Sequence, residues 1–196
     1  MREFDAVLCD LDGVLRRFDE DRQRWIERRY GLPVYATAFA PERMVPAVLG
    51  ETTAAQWLAS IAEALGGHPE AVRATEDFAA VEFWVDEQVR ELLTPIRAVM
   101  PLLLVTNAMD DLDEHLARMG LRDFAHQVIS SAMVGVAKPD RRIYEIAAAA
   151  AGVAPNRCLF IDDRAENVEA ARELGMLGIH YHEIEDLALL RGVAGR

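Results

Sequence analysis

Five short, nearly unbroken apolar runs constrain this chain more than any other feature. They cover residues 4–9, 102–105, 127–129, 158–161 and 178–181. Apolar and polar residues do not alternate within them, which is the pattern of strands buried on both faces. From Leu102 onward, helical patterns lie between the runs. Leu112, Leu116 and Met119 are spaced for one helix face and are followed by Gly120. Ile143, Ala147 and Ala150 precede Gly152, and Val168, Ala171 and Leu174 precede Gly175. Apolar spacing of three to four with a glycine just beyond it marks a helix and its C-terminal stop. Alternation of strand and helix predicts an α/β fold with a parallel sheet covered on both faces.

Residues 16–92 read differently. They contain no strand signal but several helical ones, among them a charged segment over 19–30 and a short one over 42–49. Thr53-Ala-Ala-Gln56 is a capping box that opens a helix with Trp57, Leu58, Ile61 and Leu65 turned inward. A longer helix is expected to carry Val81, Val85, Val89 and Leu92 in register. This region is expected to be a helical insertion (16–92) within an α/β domain made of residues 1–15 and 93–196. The tail, 192–196, is expected to fray.

Composition narrows the function classes. With 21 Lys and Arg against 33 Asp and Glu, the net charge is −12, which disfavours a nucleic-acid or anionic-membrane surface. No run approaches the ~18 apolar residues of a membrane span. The start, Met1-Arg-Glu-Phe-Asp, lacks the apolar core of a signal peptide. Cys9 and Cys158 lie in strand-like runs, without metal-ligand spacing. A cytoplasmic protein is the expectation.

The polar residues that end the apolar runs carry the chemistry. Asp10-Leu-Asp12-Gly13-Val14 follows the first run directly, and ligands of open parallel sheets bind beyond the carboxyl ends of the strands. Two carboxylates on one turn repel each other, and a divalent cation or a shared proton relieves that. The second run ends in Thr106-Asn107, Lys138-Pro139 precedes a helix, and the fourth run ends in Asp162-Asp163. One sheet edge would therefore collect four carboxylates, an ammonium and a hydroxyl. Carboxylates suit Mg²⁺, a hard cation that commonly shares its oxygen ligands with a phosphate. No Gly-rich nucleotide loop and no Gly-x-Ser-x-Gly elbow is present.

In that order, Asp10-x-Asp12-Gly-Val, Thr106-Asn107, Lys138-Pro139 and Asp162-Asp163 resemble the four motifs of the haloacid dehalogenase-like hydrolase superfamily. Residues 135–144 and 160–171 are the most specific part of the match. The resemblance implies a Rossmann-like, doubly wound core with an inserted helical cap. The insert position is similar to the small-cap subclass, and Asp163-Arg-Ala-Glu-Asn167 is most like the branch of sugar-phosphate phosphatases and epoxide hydrolase phosphatase domains. The implied activity is Mg²⁺-dependent hydrolysis of a small phosphate monoester through an aspartyl phosphate. Asp10 matches the nucleophile and Asp12 the general acid/base. Thr106, Asn107 and Lys138 match the phosphate-binding groups. The implied Mg²⁺ ligands are Asp10, the Asp12 carbonyl and Asp163, with Asp162 as ligand or support, and Asn167 supports at most.

The motifs leave a phosphomutase open. A 2-haloacid dehalogenase has no use for an acid at position 12, and a phosphate-responsive binding module of the receiver type would lack the insert. The prolines at 95 and 101 depart from the family's usual helix and turn before the second strand. Within the insert, Arg24 and Trp25 are the expected substrate contacts, and the other arginines of 22–29 form a solvated face. His180 and His182 are expected far from the site. The partner is a small phosphorylated metabolite, with no nucleic acid or membrane.

Overall fold

The computed structural model describes residues 3–193; of the expected frayed tail, residues 194–196 lie outside the described residues. Strands β1 (Ala6–Cys9), β4 (Leu102–Thr106), β5 (Gln127–Ser130), β6 (Cys158–Asp162) and β7 (Leu177–His180) form a parallel five-stranded sheet in the order β5-β4-β1-β6-β7. Between β1 and β4 come β2 (Arg16–Phe18), helices α1 (Glu20–Tyr30), α2 (Val34–Ala38), α3 (Pro41–Val48), α4 (Ala54–Ala64) and α5 (Pro69–Ala79), strand β3 (Phe83–Val85) and helix α6 (Glu87–Arg97). Later helices are α7 (Leu112–Arg118), α8 (Ser131–Val134), α9 (Arg141–Ala151) and α10 (Ala165–Glu173).

The sheet splits its side chains between two cores, as period-2 geometry requires. Val7, Cys9, Leu102, Leu104, Leu159 and Ile161 face one side, with Leu93 and Ile96 of α6 and Leu116 of α7. Ala6, Leu8, Leu103, Val105 and Phe160 face the other, against Ile143, Tyr144 and Ala147 of α9. This is the expected doubly wound α/β core, and both faces are covered.

The inserted helices bury a core of their own around Ile26, Val34, Ala38, Ile61, Ala71 and Ala74. The capping box forms as read, with Thr53 Oγ1 accepting from Gln56 N and Gln56 Oε1 accepting from Thr53 N. Two expectations are corrected here. Residues 16–92 do contain strands: β2 and β3 pair antiparallel, Arg16 opposite Val85 and Phe18 opposite Phe83. The long helix through Val81, Val85, Val89 and Leu92 is broken, because Val85 lies in β3 and Asp86 caps α6 by accepting from Val89 N. Residue 92 falls inside α6, and Val89, Leu93 and Ile96 of that helix pack in the sheet's core. The proline-bracketed segment likewise keeps a helix before β4, since Pro95 sits near the end of α6.

Several contacts join the insert to the sheet domain, among them Arg17 Nη2 donating to the Tyr181 hydroxyl at 3.2 Å and the Phe83 ring against His115. Asp110 Oδ1 accepts from Ala54 N at 2.7 Å. Gly50, at φ +73°, approaches Ala132 so closely that an added Cβ would lie 2.5 Å from its carbonyl oxygen.

Candidate active site

Strand order gathers the polar strand ends. β1 is flanked by β4 and β6, so Asp10, Thr106 and Asp162 leave the sheet side by side. The chain goes to one side of β1 through β4 and β5 and to the other through β6 and β7, which makes this the switch point where such sheets bind ligands.

At the centre is Lys138, whose Nζ lies 2.7 Å from Asp10 Oδ1 and 2.6 Å from Asp162 Oδ2, all three side chains being buried. Burial works to lower the Lys138 pKa, but the two carboxylates outweigh it and hold the ammonium protonated. Burial pushes the Asp10 carboxyl well above the ordinary carboxylate range, against the pull of Lys138. Asn107 fixes the lysine's backbone. Its Nδ2 donates to the Lys138 carbonyl at 2.9 Å and its Oδ1 accepts from Lys138 N at 2.8 Å. Asp162 is also fixed, accepting from Asn167 Nδ2 and from Arg164 N, both at 2.9 Å. Asn167 therefore sits behind the carboxylates as a support.

Carboxylate oxygens of Asp10, Asp162 and Asp163 lie within 4.8 Å of one another. Three carboxylates, two buried and that of Asp163 exposed, stand against one ammonium, and desolvation together with Asp162 raises the Asp163 pKa. The donor set is all hard oxygen, so it fits a divalent cation of the Mg²⁺ type. Gly13 makes room for it. At φ +78°, a Cβ there would lie 2.1 Å from Asp163 Oδ2. Gly13→Ala is therefore expected to displace the Asp163 carboxylate and to incur the ~1–2 kcal/mol strain of a left-handed non-glycine residue. Thermal melts with and without Mg²⁺ check this: the variant should melt lower and lose most of the Mg²⁺-dependent rise.

Thr106 Oγ1 is buried and has no hydrogen-bond partner among the described residues, as is the Oγ of its neighbour in register, Ser130. An unsatisfied buried hydroxyl costs about 1–3 kcal/mol unless a ligand engages it. Cys9 stays a packing residue, its thiol pKa raised by burial. Burial likewise pushes the Cys158 thiol up to about 11.

Asp12 stands apart from the three-carboxylate group. Both of its oxygens are taken by Arg16, four residues on, including a 2.8 Å bond from Nη2 to Oδ2. That guanidinium also lies over the rings of Phe18 and Phe83 and 3.5 Å from His115 Nδ1. Burial lowers the His115 pKa, with Arg16 adding to the effect and Asp111 opposing it.

Above Asp12 and Asn107, a cavity of about 230 Å³ opens between the insert and the sheet domain. Its lining includes Arg16, Tyr35, Phe39, Trp57, Phe78 and His115, but neither Arg24 nor Trp25. Arg24 and Trp25, the substrate contacts expected from the sequence, therefore lie outside this cavity. On α1, Gln23 reaches the cavity, and the next two residues turn away by 100° per step. Arg24 is exposed and paired with Glu20 and Asp21, and Trp25 is stacked with Arg22 and Arg29. His180 is also relocated. It lies opposite Asp162 in register, with Nε2 3.0 Å from the Asp163 carbonyl oxygen, because β7 neighbours β6.

A family profile described as haloacid dehalogenase-like hydrolase matches residues 4–175. The chain belongs to that family. Among curated relatives of this hydrolase, phosphatase MT3486 of Mycobacterium tuberculosis is 52% identical over 56 residues, covering 29% of this chain and 26% of that protein. Bifunctional epoxide hydrolase 2 of Mus musculus is 28% identical over 198 residues, covering 92% of this chain and 35% of that protein. The matches thus span about a third or less of those two relatives. Among solved structures, a family enzyme of Bacteroides thetaiotaomicron, bt-2542, in complex with magnesium and inorganic phosphate, is 22% identical with a TM-score of 0.76, over 94% of this chain and 98% of that one. At that identity the likeness is one of fold. Among the described residues, no helix of the hydrolase is long and apolar enough to cross a membrane.

Proposed function

We propose that this hydrolase is a Mg²⁺-dependent phosphatase of small phosphate monoesters, acting through an aspartyl phosphate. The observation that carries the reading is Lys138, buried between Asp10 and Asp162 at the strand ends, beside the unpartnered hydroxyl of Thr106. Phosphoryl transfer develops charge on equatorial oxygens and is catalysed mainly by positioning and charge compensation.

In the proposed first step, an Asp10 carboxylate oxygen attacks phosphorus and the bond to the ester oxygen breaks. Oδ1 of Asp10 already accepts from Leu11 N and Lys138 Nζ, each at 2.7 Å, which leaves Oδ2 for the attack. Asp12, once an oxygen is released from its two-point pairing with Arg16 to carry a proton, gives that proton to the departing alkoxide. In the second step, Asp12 takes a proton from water, the water oxygen attacks phosphorus, and the bond to Asp10 breaks to release inorganic phosphate. Thr106 Oγ1, the Asn107 N–H and Lys138 Nζ hold the phosphoryl oxygens through both steps. Mg²⁺, when held by Asp10, Asp163 and the Asp12 carbonyl with Asp162 in support, supplies the neutralising charge that lets an anionic nucleophile approach an anionic phosphate. The insert, expected over 16–92, acts as the cap that selects substrate and limits water. Phosphate release from a panel of phosphomonoesters, with and without Mg²⁺, tests the reading, and no release from any member in Mg²⁺ would sink it.

The two neighbouring acids are expected to behave differently. Asp163→Asn should raise the Mg²⁺ concentration needed for half-maximal activity by about tenfold or more, with the fold preserved, since that side chain faces Gly13 and makes no bond to Lys138. Asp162→Asn should shift the Mg²⁺ requirement less and lower stability more, because its carboxylate is bound by Lys138, Asn167 and Arg164 N. Mg²⁺ titrations and urea melts of both variants check this order.

A further inference from the structure

The wall of the cavity over the strand ends is mainly apolar and carries six aromatic rings, those of Phe18, Tyr35, Phe39, Trp57, Phe78 and Phe83. Tyr35 stacks on Phe39 with centroids 6.1 Å apart, Phe39 meets Trp57 edge-on at 6.4 Å, and Trp57 is tilted against Phe78 at 5.7 Å. Met44, Leu58 and Val81 extend the apolar surface. Phe39 is 53% exposed and lines the cavity. The polar groups of the lining are largely spoken for. Trp57 Nε1 donates to the Ala38 carbonyl at 3.0 Å, Arg16 is spent on Asp12, and His115 Nε2 lies 3.6 Å from Asp111. A polyol pressed against such a wall would find few partners beyond Gln23, Tyr35 and Asp111, and each hydroxyl left unpaired is penalised. An apolar ring meets rings edge and face, the arrangement aromatic side chains favour. The size agrees, because a cavity of about 150 Å³ holds benzene, and this one has about 230 Å³ and opens onto Asp12 and Asn107.

We propose that the phosphate monoester taken by this site carries an apolar, aromatic-ring leaving group seated against Phe39, Trp57 and Phe78, in place of the expected sugar. The proposal rests on the phosphatase reading and specifies its substrate class. The experiment compares benzyl phosphate, glycerol 3-phosphate and glucose 6-phosphate on the Mg²⁺-loaded full chain. All three release an alcohol, so leaving ability does not decide the order. Benzyl phosphate is expected to have a kcat/KM at least about tenfold above both polyol phosphates. Phe39→Ala and Trp57→Leu should each shrink that ratio severalfold, chiefly by raising KM for benzyl phosphate, and Trp25→Ala should leave it unchanged. Phe39 is the safer of the two cavity positions for folding because its ring is half exposed. A ratio near or below one, or an equal effect of Trp25→Ala and Phe39→Ala, overturns the proposal and leaves the phosphatase reading standing. Acetyl phosphate, too small to need the aromatic wall, separates the two levels: if it also releases no phosphate, the phosphatase reading itself fails.

Discussion

Asp10→Asn is expected to abolish phosphate release, by about 10⁴-fold or more, in a protein that still folds. An amide oxygen is too weak a nucleophile to form the acyl phosphate, and the neighbouring carboxylates of Asp162 and Asp12 are committed elsewhere. Asp162 is bound on both oxygens by Lys138, Asn167 and Arg164 N, and Asp12 is held by Arg16. The fold should tolerate the change because Asn keeps the shape, and Lys138 retains Asp162 as its counter-ion at 2.6 Å. Acid quenching of the wild type during turnover of a ³²P-labelled substrate should trap label on the chain, and the variant should trap none. Wild-type turnover by folded Asp10→Asn would remove the covalent route.

Lys138→Met is expected to have the largest effect on stability. The substitution keeps much of the side-chain volume but leaves Asp10 and Asp162 as buried carboxylates facing each other without a cation. Removing one partner from a buried ion pair typically costs about 3–5 kcal/mol. Urea denaturation should report that loss, and adding Mg²⁺ should recover part of it by supplying positive charge to the same cluster. The double variant Lys138→Met/Asp162→Asn should be more stable than the sum of the single effects, because one of the stranded charges is gone. If Lys138→Met matches the wild type in urea, the lysine is not the electrostatic keystone described above.

The sheet was legible because its strands are continuous apolar runs and its helices close on glycines, both of which are local signals. The site was legible for the same reason: Asp10, Thr106 and Asp162 come at the ends of runs, where a parallel sheet exposes its edge. What stayed hidden depends on pairing across the chain. β2 is Arg-Arg-Phe, with nothing strand-like in it, and it exists because Phe83–Val85 lies beside it. The four-residue spacing of Val81, Val85 and Val89 imitates a helix face, but Asp86 starts a new helix between the last two. Arg16 escaped notice because a guanidinium four residues from a carboxylate suggests contact only on a helix, and here a tight turn brings them together. In that turn Leu15 N and Arg16 N both donate to the Leu11 carbonyl. The aromatic wall draws on residues 35, 39, 57 and 78, which no short window contains. His180 was placed far away because strand order cannot be read from the runs themselves.

The central position of β1 also bears on when the chemistry can come into being. Val7 pairs with Leu102 on one side and with Leu159 on the other, so the strand that carries Asp10 waits for both flanks until most of the chain has left the ribosome. Contacts of such long sequence separation form late and slowly, since a large loop must close before any pairing rewards it. Until then the apolar segment Ala6–Cys9 is open to wrong partners, the kind of exposure that draws chaperones. Asp10 meanwhile sits in water as an ordinary carboxylate, without Lys138 or Asp162 beside it. The proposed nucleophile thus gains its surroundings only when β6 is in place, and a chain halted short of β6 is expected to release no phosphate.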